Sequence, residues 1–223
     1  YRDSKEEYTS AKAAYESFQT ATAKNDAYVA TRDYLTHIDK LYLAYIALAI
    51  EYGNAIDFSK HGQDKNMIAQ ILDGQSTYIN SHMQKTNATK TLEQLPPLAT
   101  ELKDYLDEES QLGFNKILAI YEIVETEAAL NEFLTLSRIL DRVVIFKLRT
   151  GETKSILANW SSEIKDIQNK TQQNIDLVRE AFAKTAENTA TNGQLEEISQ
   201  ITKIAKGELK RSKPLFEEVV RII

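Results

Sequence analysis

Apolar and aromatic positions recur at heptad spacing from the first residue onward. Tyr1, Tyr8 and Tyr15 stand seven apart, interleaved with Ser4, Ala11 and Phe18. Tyr28, Leu35, Tyr42 and Ala49 repeat at seven as well, interleaved with Ile38, Tyr45 and Tyr52. Such spacing marks the a and d positions of a bundle helix. The two registers miss each other by one residue near Lys24-Asn25-Asp26, which predicts a skip in the seam or a kink there. No Gly or Pro interrupts residues 1–52, and a continuous helix of that length would reach about 78 Å. Part of such a helix would overhang its neighbours and leave apolar positions bare.

Leu41 to Ile50 is apolar all round, which predicts a helix buried on several sides. It is too short for a bilayer, which needs about 20 apolar residues. Gly53 and Gly62 bracket a loop, and a second helix is expected from Asp64 to Lys85. Pro96-Pro97 ends the break over 87–97 and starts a third element that runs to Arg149, with a weak point at Gly113. Residues 114–148 form the most apolar stretch, so this helix is expected at the centre. Thr150-Gly151 should end it. A fourth helix follows from Thr153 to Ala186, with Ile156, Leu157, Trp160, Ile164, Ile167, Ile175, Val178 and Phe182 three or four apart. Thr191 and Gln194 fit a capping box for the last helix, which Pro214 should kink or divide.

No segment alternates with the period of a strand, and no internal repeat or linker is evident. The expected fold is all-α. It is an elongated antiparallel bundle of about five helices, three of them long, with coiled-coil-like packing. Residues 1–223 are expected to form one elongated domain.

Composition narrows the function classes. Gly 7 and Pro 3 are too few for the turns of a strand-rich protein. Cys 0 rules out disulfides, thiol catalysis and cysteine-bound metals. A net charge of −6 gives no broad attraction to nucleic acid, so no nucleic-acid partner is expected. A membrane is expected only through segments flanking the given chain. That chain opens on Tyr1 within a helical pattern, as a processed or trimmed chain would.

The chemistry-bearing residues form no recognised catalytic set. The positions three before His37, His61 and His82 are Tyr34, Phe58 and Ile79, so the Glu-x-x-His pairs of a di-iron bundle are missing. The acidic run Glu101, Asp104, Asp107, Glu108 and Glu109 lacks the Gly and ligand spacing of a calcium loop and reads as a solvated face. Gly151 to Ser155 lacks the spacing of a phosphate loop. No nucleophile elbow occurs. Neither a metal nor a cofactor is expected, and no enzymatic activity. Three Asn-x-Ser/Thr sequons, at Asn87, Asn159 and Asn169, matter only in a host that glycosylates.

Two groups of residues invite a binding role. Glu127, Asn131, Thr135, Arg138 and Arg142 step along the apolar third helix. They form either an exposed face or a polar seam whose arginines would hold an anion. Eight of the eleven tyrosines lie in residues 1–52. Tyr buries an apolar body and keeps a wet tip, which suits a half-exposed bundle seam or an interface. Tyr1, Tyr8, Tyr15, Phe18 and Tyr28 are the candidate partner surface, and self-association is the simplest way to cover it.

Tyr1-Arg2-Asp3, Tyr8 with Ala11-Lys12 and Tyr15, Thr31-Arg32-Asp33-Tyr34-Leu35, and Tyr45 with Ala47-Leu48 together resemble uncharacterised exported helical proteins of small-genome candidate-phyla bacteria. The likeness spans residues 1–50. It implies an extracytoplasmic helical protein with no assigned activity and carries no functional residues over. The leading expectation is a secreted or cell-surface structural module that adheres or assembles through a protein partner or itself. Alternatives are an extracytoplasmic sensor or solute-binding bundle between two membrane helices, similar in layout to chemoreceptor ectodomains, and a helical pore-forming toxin.

Overall fold

A computed structural model describes residues 1–147, 154–187 and 192–222, and the side chains of these except 143–147, 154–157, 185–187, 192, 219, 220 and 222. Among the described residues every regular element is helical. They are α1 (Arg2–Phe18), α2 (Ala21–Asn54), α3 (Gly62–Ala88), α4 (Leu95–Tyr105), α5 (Gln111–Lys147), α6 (Lys154–Glu187) and α7 (Asn192–Ile222). A short 3-10 turn, Leu92–Gln94, precedes α4, and a π turn, Leu106–Ser110, joins α4 to α5. The chain is an all-α helical bundle protein.

The described chain divides into two compact units. The first holds Tyr1–Ala55 and Gly62–Phe114, the second Ile56–His61 and Asn115–Ile223. One boundary falls inside α5, which is why composition shows no linker at that point. The segment 148–153, with the expected stop at Thr150-Gly151, and Thr191 of the expected capping box lie outside the described residues.

Residues 1–52, expected as one long element with a skip or kink near Asn25, are instead two helices. The chain turns back after Phe18, and α1 packs antiparallel on α2. Gln19 takes the left-handed conformation that ends many helices (φ 48°), and its N–H donates to the Tyr15 carbonyl. Thr20 then caps α2, its hydroxyl accepting from the Ala23 N–H at 3.1 Å. Lys24-Asn25-Asp26, where the registers miss each other, are uninterrupted helix. The real break lies earlier and carries no Gly or Pro. Gln19→Gly should stabilise the hairpin by roughly 0.5–1 kcal/mol, because Gly meets no penalty at positive φ. Hydrogen exchange of the α1 amides, compared between the two proteins, measures it.

In the first unit α2, α3 and α4 share a core. Leu35, Ile79, Leu95 and Leu102 are buried at its centre, with Tyr28, Ile38, Tyr42, Tyr78 and Tyr105 packed around them. Tyr78 and Tyr105 stack with ring centroids 3.5 Å apart, and burial pushes both phenols up to about 12. Pro96 and Pro97 sit in the first turn of α4, where a missing N–H costs nothing. Gly113 is not a break. A Cβ there would collide with the Gln75 amide nitrogen, which donates to the Ser110 carbonyl at 3.0 Å, so the glycine lets α3 pass close to α5.

In the second unit α5, α6 and α7 form a three-helix bundle. Leu130, Phe133 and Leu140 pack with Ile164, Ile167 and Ile175, and with Trp160, Leu209, Leu215 and Phe216 around them. Around residues 119–124 α5 is buried on most sides, with Ala119, Ile120, Tyr121, Ile123 and Val124 all inside. Beyond Leu130 its buried residues narrow to one face, and Leu136 and Ile139 are exposed. Pro214 lies within α7, which continues to Ile222 as a helix.

Candidate functional site

The tyrosines of α1 meet their partner inside the chain. The predicted seam Tyr1, Ser4, Tyr8, Ala11 and Tyr15 faces α2 across the hairpin. Tyr8 stacks on Tyr34 at 5.0 Å and 9°, and the Tyr1 and Tyr34 hydroxyls lie 3.3 Å apart. Burial and the neighbouring Tyr1 hydroxyl push the Tyr34 phenol up to about 12. Ser4 is buried, and Tyr8 and Tyr15 are half-buried. Tyr28 belongs to the other side of α2, where its hydroxyl donates to the Thr89 carbonyl at 2.6 Å. Of the five residues expected at a partner surface, only Tyr1 and Phe18 remain exposed.

The apolar surface lies elsewhere. Leu41–Ile50, expected to be buried on several sides, is buried only at Ile46. On α2 the positions Ala23, Ala27, Ala30 and Tyr34 form the seam opposite α1, three or four apart. Seven residues on, the same seam continues as Leu41, Tyr45, Leu48 and Tyr52. Tyr1 pairs with Tyr34, so α1 reaches no farther than that point. Beyond it the seam is exposed: Leu41 is 36% exposed, Tyr45 53%, Leu48 64% and Tyr52 48%. Four large apolar side chains in one row are an exposed patch of the kind that marks an interaction site. No helix among the described residues is long and apolar enough to cross a membrane.

The polar row of α5 divides. Asn131, Thr135, Arg138 and Arg142 are exposed, so the candidate anion seam is not enclosed. Glu127 is half-buried and belongs to a closed cluster in the second unit. Arg179 of α6 grips it with two bonds, Nε to Oε1 at 2.7 Å and Nη2 to Oε2 at 2.9 Å. The same Nη2 lies 3.2 Å from His61 Nδ1, and His61 Nε2 lies 3.4 Å from Glu127 Oε2. Each polar group in this cluster is directed at another, which fits a structural tie between the Ile56–His61 segment, α5 and α6.

A second histidine is more deeply placed. His82 of α3 and Asp39 of α2 are both buried, at 1% and 0% exposure. Nδ1 lies 2.8 and 3.0 Å from the two Asp39 oxygens, and Nε2 lies 3.2 Å from the Leu98 carbonyl of α4. No group of three or more metal-ligating side chains occurs among the described residues. A cleft of about 400 Å³ between α6 and α7 is lined by Leu177, Glu180, Lys184, Gln194, Glu197 and Ile198. Its Glu180 is already held by Lys184 at 2.7 Å.

No protein-family model, curated protein or solved structure matches the chain.

Proposed function

We propose that the chain is a non-enzymatic helical interaction module that acts outside the cytoplasm and associates with a second copy of itself through the exposed seam of α2 beyond Tyr34. The extracytoplasmic placement rests on the resemblance carried by residues 1–50. The association rests on one observation, the exposed row Leu41, Tyr45, Leu48 and Tyr52 that continues the seam filled by α1.

The spacing of that row supports a copy of the same helix as its occupant. Its steps are four, three and four residues, which read the same in either direction. An antiparallel copy related by a two-fold axis sets Leu41 against Tyr52 and Tyr45 against Leu48 at each level. Two-fold interfaces need such self-complementary patches. Alternating steps of three and four are also the seam of helices packed knobs-into-holes. Ala44 and Ala47, beside the row, leave room for close approach.

The absence of native cysteine makes the register directly testable. Tyr45→Cys and Leu48→Cys copies, mixed under mild oxidation, should form a disulfide-linked heterodimer much faster than a Thr9→Cys control on the exposed side of α1. Cross-linking no faster than the control overturns the antiparallel pairing.

A further inference from the structure

The Asp39–His82 pair is the one deeply buried ion pair among the described residues whose histidine has both ring nitrogens aimed at acceptors. A carboxylate and a backbone carbonyl can only accept, and His82 meets one with each nitrogen. A neutral imidazole has a single N–H. Against an ionised Asp39 it must then turn a lone pair toward either the carboxylate or the Leu98 oxygen. The pair is satisfied only while it holds one further proton, on His82 or shared with Asp39. That proton ties three helices together, since Asp39 lies on α2, His82 on α3 and Leu98 on α4.

We infer that Asp39 and His82 form a proton-operated latch in the first unit, closed while the pair keeps its proton and loosened when it is lost. The charged surroundings favour keeping it. Glu101 of α4 acts on His82 and is itself bonded to Lys85 of α3 at 2.6 Å. Tyr78 of α3 donates to the Glu101 carbonyl and stays protonated well into the alkaline range. From α2, Asp39 is the charged group that meets the ring.

Burial works against the His82 cation. The hydrogen bond to Asp39, that carboxylate's charge, the Leu98 carbonyl and Glu101 together outweigh it, so His82 holds its proton above the ordinary 6.5. Burial, partly offset by His82, likewise raises Asp39 above 3.8. Both groups therefore bind protons more tightly in the folded chain than in the unfolded one, and both contributions fade as pH rises. That of Asp39 fades first, from 3.8 upward through its raised value. That of His82 is complete below 6.5 and is lost as pH climbs through its folded value. Across that window one linked proton lowers the folding equilibrium constant by up to about tenfold per pH unit.

The test uses the full chain labelled with nitrogen-15. The ring signals of its three histidines, assigned with His37→Gln and His61→Gln, are followed from acid to alkaline pH. His82 should keep the signature of a doubly protonated ring above pH 6.5, the ordinary histidine value. In parallel, the urea midpoint of the unaltered chain should fall with rising pH across the His82 transition, and that slope should flatten in the Asp39→Asn, His82→Gln double variant. Loss of that signature at or below pH 6.5 overturns the latch, as does an unchanged slope in the double variant. Should the double variant fail to fold, the ring titration of the unaltered chain decides by itself.

Discussion

His82→Ala is expected to destabilise the first unit by about 3–5 kcal/mol. The loss has two sources. Removing the ring strands a carboxylate at 0% exposure, with no charged partner and no route to water. It also opens a void where α2, α3 and α4 meet beside Ile79 and Leu95, both fully buried. Asp39 answers in part by taking up a proton, which limits the cost. The companion variant Asp39→Leu, His82→Leu separates the sources, because it fills the space and removes both charges. Apolar replacements of buried ion pairs are often neutral or stabilising. Hydrogen exchange of the slowest α3 amides reads the stability of this unit alone. The expected order is a large loss for His82→Ala and recovery of most of it in the double leucine variant. Equal losses in the two would mean that the charge is not what makes the single change costly.

Tyr45→Asp together with Leu48→Asp is expected to weaken self-association by about 100-fold or more. A desolvated aromatic or aliphatic anchor at the centre of an interface commonly contributes 2 kcal/mol or more, and each tenfold in affinity corresponds to about 1.4 kcal/mol. The two positions oppose each other across the proposed two-fold axis, so the double variant sets aspartates of both copies face to face. Both side chains are already more than half exposed, 53% and 64%, so the fold should be little affected. Phe18→Asp is the informative control. Phe18 is 73% exposed, more than any residue of the row, but it stands at the end of α1, off the α2 seam. Its replacement should leave association unchanged. Dissociation by Phe18→Asp would place the interface at the hairpin end, where the tyrosine pattern alone had pointed.

Those two surfaces show how far the chain's pattern could be read. The heptad Tyr1, Tyr8, Tyr15 was legible as a seam, but a seam does not state what fills it. Here α2 of the same chain fills it, because the helix turns back at Gln19. That turn was hidden because its left-handed residue is Gln rather than Gly. Its local signals were the Thr20 cap and the register mismatch that shows only after Asn25. The even hydrophobicity of Leu41 to Ile50 suggested burial on several sides, yet Ile46 alone is buried there. Periodicity locates an apolar face and leaves its cover undetermined.

Helix existence was the most legible feature. The ends of α3 and α6 and the start of α4 lie within a few residues of the expected positions, since glycines, Pro96-Pro97 and polar runs mark them, whereas the π turn after Tyr105 carries no such mark. Polar pairing was the least legible. Asp39 and His82 are 43 residues apart, and Glu127 and Arg179 are 52 apart, on different helices. His82 carries no spacing signal that points to Asp39. The row on α5 was visible, but only the fold shows that Glu127 leaves it to join Arg179 while Arg138 and Arg142 face solvent.

Sedimentation equilibrium of the unaltered chain over a wide concentration range tests the central claim most directly. A molar mass rising from 25.3 kDa toward twice that value with concentration is the predicted result. A mass that stays at 25.3 kDa at the highest concentrations reached would contradict it, and the exposed seam of α2 would then not serve self-association.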